Sequence, residues 1–173
     1  MGPFYGWRSW IVRRDRLSSL YVPTLWPADG PLRAKCLVGD TEGFRPAGWG
    51  QHAAGEDATC AECPALNCTC GIYAGTVLTE VRQVSYARSH LHLAFGIAQG
   101  WGRVVEHERG WRAEYARPVA LLKPTVRLRP AGRLRPRTRR RTRETEALAE
   151  AYGIPLITEP QASEWLGVQR DET

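Results

Sequence analysis

The chain has 173 residues, 43% of them hydrophobic, enough to bury a core as one domain. Its formal charge of +6 is unevenly placed: nine arginines and no acid fall between 127 and 143, which leaves −3 (6 − 9) for everything else. No run approaches the roughly 18 apolar residues of a membrane span, so a spanning helix is excluded.

In chain order, the opening Met1-Gly-Pro-Phe-Tyr-Gly-Trp7 lacks the basic and apolar regions of a secretory signal. A cytoplasmic, reducing location is the expectation. Trp7 to Val22 alternates in a way that predicts a β-hairpin turning at Asp15-Arg16, and Trp26 to Pro31 reads as a Pro/Gly turn. From Leu32 to Pro64 the chain is rich in Gly, Ala and Pro without periodicity, a long loop that needs a staple or a function. Val77, Val81, Val84, Ala87 and Leu91 recur at three- and four-residue steps and predict a helix of about four turns. Two strands, 91–98 and 101–108, then lead through a Glu108-Arg109-Gly110 turn into a return strand from Trp111 that Pro118 to Leu122 continues. Pro130 and Pro136 argue for an exposed arm over 126–143. A helix from Arg143 to Tyr152, capped by Thr142 and ended by Gly153, follows. Residues 154–157 read as a short edge strand, and Trp165 lies in a last turn. No internal repeat is present.

The densest chemistry is Cys60-Ala-Glu-Cys63-Pro-Ala-Leu-Asn-Cys68-Thr-Cys70-Gly71, four of the five cysteines in the order C-x2-C-x4-C-x-C-G, with Cys36 upstream. An odd number of closely spaced thiols argues against a disulfide framework. The order matches neither common iron–sulfur spacing. Zinc takes four thiolates in a tetrahedron at about 2.3 Å, and Gly71 lets the backbone turn away after the C-x-C pair. Cys36, Cys60, Cys63, Cys68 and Cys70 are therefore candidate zinc ligands. One ligand set is Cys36, Cys68 and Cys70 with Cys60 or Cys63 as fourth. Another takes the four clustered residues and leaves Cys36 as a buried thiol. His52 is an outside candidate in a Gly/Ala-rich loop. A closed four-ligand site of this kind holds structure together and catalyses nothing.

Cys68-Thr-Cys70-Gly71-Ile72-Tyr73-Ala74, followed by Gly102 to Ala116 (GRVVEHERGWRAEYA), resembles an uncharacterised family of small bacterial and phage proteins. The resemblance covers residues 7 to 122. In that family one cysteine lies upstream, as Cys36 does here, and a histidine shortly precedes a proline. Pro64 matches the proline, but the Cys60/Cys63 region stands at the histidine. The resemblance implies a zinc site and one domain, and implies no reaction.

Three further constellations weigh against simpler readings. Arg127, Arg129, Arg133, Arg135, Arg137, Arg139, Arg140, Arg141 and Arg143 form a block of like charge suited to phosphates, with Trp101, Trp111 and Tyr115 as stacking partners for unpaired bases. The simpler reading is a solvated loop in a chain whose arginines outnumber lysines 22 to 2. Glu106, Glu108 and Glu114 offer acid/base groups, but strand alternation turns His107 away, and pairing to Arg103, Arg109 or Arg112 explains them as well. His90 and His92 have a ligand spacing without further ligands in view. No G-x-S-x-G, phosphate loop or dinucleotide fingerprint appears.

The expected fold is α+β: a single domain with a twisted antiparallel sheet, about two helices and a zinc-stapled long loop. Its parts are an N-terminal hairpin (1–31), a metal-binding loop (32–75), helix plus antiparallel strands (76–122), a basic arm (123–143) and a C-terminal helix and tail (144–173). The expected function is a zinc-stabilised, nucleic-acid-binding accessory or regulatory protein. The alternatives are an interaction module for an acidic protein, and an enzyme with its site on the 106–114 hairpin.

Overall fold

The computed structural model describes residues 2–22, 24–36, 60, 62–66, 68–86, 90–124 and 136–171. His52, Arg127, Arg129, Arg133 and Arg135, and most of the predicted long loop, lie outside the described residues. So does the side chain of Arg137.

Mixed α+β content is observed, with seven strands in one mostly antiparallel sheet and three helices among the described residues. The strands are β1 (Phe4–Arg13), β2 (Arg16–Ser18), β3 (Leu32–Arg33), β4 (Ile72–Gly75), β5 (Leu93–His107), β6 (Gly110–Leu122) and β7 (Leu156–Ile157). The helices are α1 (Leu78–Ser85), α2 (Pro136–Ala151) and α3 (Glu159–Asp171). β1 and β2 form the predicted hairpin, with Arg13 opposite Arg16.

The two strands expected over 91–108 are one. β5 runs unbroken for 15 residues through Gln99-Gly100, where the break is expected, and its pairing with β6 shifts register on either side, at Ile97/Ala98 and between Trp101 and Val104. Its partner β6 returns from a turn in which Gly110 has φ +151°; an added Cβ there would sit 2.0 Å from the Ala74 carbonyl. Only a glycine lets β4 come so close to the turn.

The pairing closes on itself. β1 pairs with β5, β5 with β6 and β6 with β4, and β4 returns to β1 through the Trp7–Gly75 pair. One side of β6 is shared out along its length: β4 opposite Gly110–Ala113, β3 opposite Tyr115 and Ala116, and β7 in parallel opposite Leu121 and Leu122. Inside the curl lie Trp10, Leu17, Trp26, Trp111 and Leu121, together with Leu148 of α2 and Tyr152 just after it. Trp10 and Trp26 are fully buried and meet edge to face at 5.6 Å. Trp111 is buried as well, at 4% exposure, which removes it from the stacking candidates. On the other face α1 and α3 cover Trp7, Ile97, Ala120 and Leu122.

Three helix expectations are corrected. α1 has eight residues and not four turns, and Val77 and Val84 of the expected stripe are exposed. The buried positions are Leu78 and Ser85, with Val81 packed between them. Ser85 enters the core because its hydroxyl donates to Val81 O (2.6 Å) and accepts from Ser9 Oγ (2.7 Å), so the apolar count missed it. The basic arm is in part a helix: α2 starts at Pro136, seven residues before the expected start. A proline in the first turn loses no intrahelical bond, so Pro136 opens the helix instead of forbidding it. Thr142 is inside it, donating to Thr138 O, while Gly153 (φ +61°) ends it as expected. The last turn at Trp165 is the 13-residue α3. Among the described residues no helix is long and apolar enough to cross a membrane.

Candidate metal centre

The topology of β6 brings the cysteines together. β3 runs antiparallel to β6, and Ala34 N extends the pairing to Glu114 O (2.7 Å). β4 enters on the same side of β6 opposite Ala113. Cys36, three residues past Arg33, therefore meets Cys68 and Cys70 just ahead of Ile72, where β3 ends and β4 begins. Cys60 joins them from the intervening segment.

The sulfurs of Cys36, Cys60, Cys68 and Cys70 all lie within 4.8 Å of one another, close enough to hold a metal ion. Four thiolates about 2.3 Å from a tetrahedral ion stand roughly 3.8 Å apart. Cys36 Sγ and Cys68 Sγ are 3.7 Å apart, and Cys60 Sγ and Cys70 Sγ 3.1 Å. The donor set fits a soft or borderline cation with small outward adjustment of one pair. Cys63 is half-buried beside this group and outside it.

Burial pushes the thiols of Cys60, Cys63 and Cys68 up, and neighbouring sulfurs push Cys60 and Cys63 further. Four thiolates, one buried and three half-buried, repel one another unless a cation sits between them.

Arg112 anchors the loop. It is 3% exposed, and its guanidinium donates to Cys68 O and to Cys70 O, the latter at 2.9 Å. Cys70 N points at Cys68 Sγ (3.4 Å), Cys68 N donates to Ala65 O (3.1 Å), and Tyr73 OH donates to Thr69 O. Gly71 follows with φ +127°, and a Cβ there would meet Arg112 Cβ at 3.0 Å and Pro64 Cβ at 3.1 Å. Gly71→Ala is expected to cost about 2 kcal/mol by backbone strain and crowding. Thermal unfolding will read that loss, and the variant should give up metal to a weaker chelator than wild type does.

The acidic hairpin does not converge. Glu106 and His107 are exposed at the end of β5 and Glu108 is in the turn. His107 stacks on Tyr73, with centroids 6.3 Å apart and planes 8° apart. Glu114 pairs with Arg33 (3.2 Å), a residue that was not expected there. Of the arginines expected to neutralise the carboxylates, Arg103 pairs with Glu62, Arg109 lies 3.7 Å from Glu80, and Arg112 serves the cysteine loop. His90 and His92 do not form a metal pair in the described group: His92 Nδ1 lies 2.8 Å from Glu144 Oε2 of α2, and His90 is exposed.

Of the described arginines in α2, Arg139, Arg140 and Arg143 are exposed. Arg140 Nε donates to Glu144 (2.7 Å), and Arg141 donates to Leu91 O (3.0 Å). This end of α2 sits by Leu91 and His92, where β5 begins; the cysteines sit near its far end. The four-cysteine group and the basic helix are thus separated by most of a long strand.

Sequence reading missed Arg112 as a support of the cysteine loop. It lies between Trp111 and Ala113, both in the core, so alternation alone puts it on the opposite face. That the opposite face is the cysteine loop follows only from the β4–β6 pairing. Compared with protein-family models, curated proteins and solved structures, the chain has no match.

Proposed function

We propose that the four-cysteine group binds one zinc ion as a structural site, and that the chain is a nucleic-acid-binding accessory or regulatory protein of the reducing cytoplasm. The four converging thiols carry the zinc reading: an all-sulfur tetrahedron has no open position, and so favours a staple over catalysis. The nucleic-acid reading is supported by the run of nine arginines, of which Arg139, Arg140 and Arg143 stand exposed on α2. Guanidinium groups on one helix neutralise phosphates and release counterions, giving affinity that falls steeply with salt. Binding is favoured over an enzyme on the 106–114 hairpin because Glu106, Glu108 and Glu114 share no site.

Deleting 127–143 would remove half of α2 and disturb the core through Leu148 and Tyr152, so charge substitution is the cleaner test. Replacing Arg139, Arg140 and Arg143 together by Gln is expected to reduce the slope of log K against log salt by up to about three contacts' worth while leaving Tm nearly unchanged. Mobility shifts at several salt concentrations will measure it. An unchanged slope counts against this helix, and retention by an acidic protein with no shift on nucleic acid favours the interaction module.

A further inference from the structure

The sheet face covered by α1 and α3 continues beyond them as two rows of polar and aromatic side chains. In the first row Tyr5, Gln99 and Arg117 are cross-strand partners on β1, β5 and β6. Gln99 Nε2 donates to Tyr5 OH (2.7 Å), and Arg117 Nε donates to Gln99 Oε1 (2.8 Å). In the second row Trp101, Tyr115 and Arg33 are partners on β5, β6 and β3. The Trp101 and Tyr115 rings stack at 6.0 Å with planes 18° apart, and the Arg33 guanidinium lies 5.6 Å over Tyr115. Residues two apart on a strand share a face, so the rows are consecutive on one surface.

Trp101 and Tyr115 are half-buried, while Arg33, Lys35, Arg103 and Arg117 are exposed. A cavity of about 390 Å³ opens beside Arg33, lined by Lys35, Arg103, Glu62 and Glu114 and floored by Cys36, Cys60 and Cys63 of the cysteine loop. Across this surface four cations face two carboxylates, a local balance of +2 (4 − 2).

We propose that this face binds single-stranded nucleic acid, with an unpaired base stacking on Trp101 and flanking phosphates meeting Arg33, Lys35, Arg103 and Arg117. The ordered guanidinium–ring–ring ladder offers a flat π surface bordered by cations, which is what a strand with exposed bases recognises. A duplex keeps its bases stacked on each other and cannot use such a platform. The inference rests on the nucleic-acid reading above but places the contact on β3, β5 and β6, away from α2.

The test is fluorescence anisotropy of the metal-loaded full chain with a short labelled mixed-sequence oligonucleotide, offered single-stranded and as duplex. Wild type is expected to prefer the single strand. Trp101→Leu should weaken that binding about tenfold. The double variant Arg33→Gln/Arg117→Gln should weaken it while melting like wild type, which keeps the test decisive if the Trp101 variant folds poorly. Wild-type affinity in both variants overturns the platform, as does the absence of any binding. If only the Arg139→Gln/Arg143→Gln variant loses binding, α2 carries the contact and the platform falls. If that variant binds normally and Trp101→Leu does not, the platform stands and the α2 reading falls.

Discussion

Removing the metal with a strong chelator is expected to lower the melting temperature by about 10 °C or more. Structural zinc sites in small domains contribute binding energy directly to folding, and in a chain of this size 1 kcal/mol moves Tm by about 2–4 °C. The site is placed where that energy has most to hold. β3 has two residues and β4 has four, both paired to the same side of β6. Strands so short keep their place only if something beyond their own ladder holds them. A metal joining Cys36 to Cys68 and Cys70 clamps the end of β3 to the start of β4. Joining Cys60 as well closes the chain between 36 and 60, whose loop entropy the unfolded state otherwise retains. Cys68→Ser and Cys70→Ser are expected to melt like the chelated protein and to be insensitive to chelator. Cys63→Ser should keep one metal per chain and melt within about 2 °C of wild type, because Cys63 stands outside the four-sulfur group. Calorimetry with elemental analysis will measure both. If a reductant, and not a chelator, lowers Tm, the thiols pair as disulfides and the metal reading is wrong.

Much of this arrangement is legible in the sequence. The clustering of Cys60, Cys63, Cys68 and Cys70 marks a site, and alternation around Trp7 and the Arg109-Gly110 turn marks the hairpins. What is not legible comes from pairing at a distance. Nothing near Cys36 says that β3 will lie end to end with β4 along β6, and that register gathers the sulfurs. Pro136 misleads for a local reason: the same ring that breaks a helix interior suits a first turn, and only the packing of Leu148 and Tyr152 shows which case applies. Ser85 misleads in the opposite sense, since a hydroxyl with two partners can take a core position that a count of apolar residues assigns to Val84.

Arg112 is where the core and the cysteine loop depend on one side chain, and Arg112→Ala is expected to cost about 3–5 kcal/mol. The loss has two parts. Cys68 O and Cys70 O each lose a charged donor in a buried setting, at about 1–3 kcal/mol apiece. The space left beneath the loop then adds to the cost, because Gly71 is already packed against the Arg112 stem. Arg112→Lys should recover only part of it: an ammonium is a compact donor and cannot span two carbonyls as the planar guanidinium fork does. A purely structural arginine would lower the stability of the metal-loaded and chelated proteins equally. If Arg112 positions the C-x-C turn for the metal, the loaded protein loses more, and cobalt-substituted Arg112→Lys shows altered thiolate-to-metal absorption. Equal losses in both forms with an unchanged cobalt spectrum would leave Arg112 as a core residue alone.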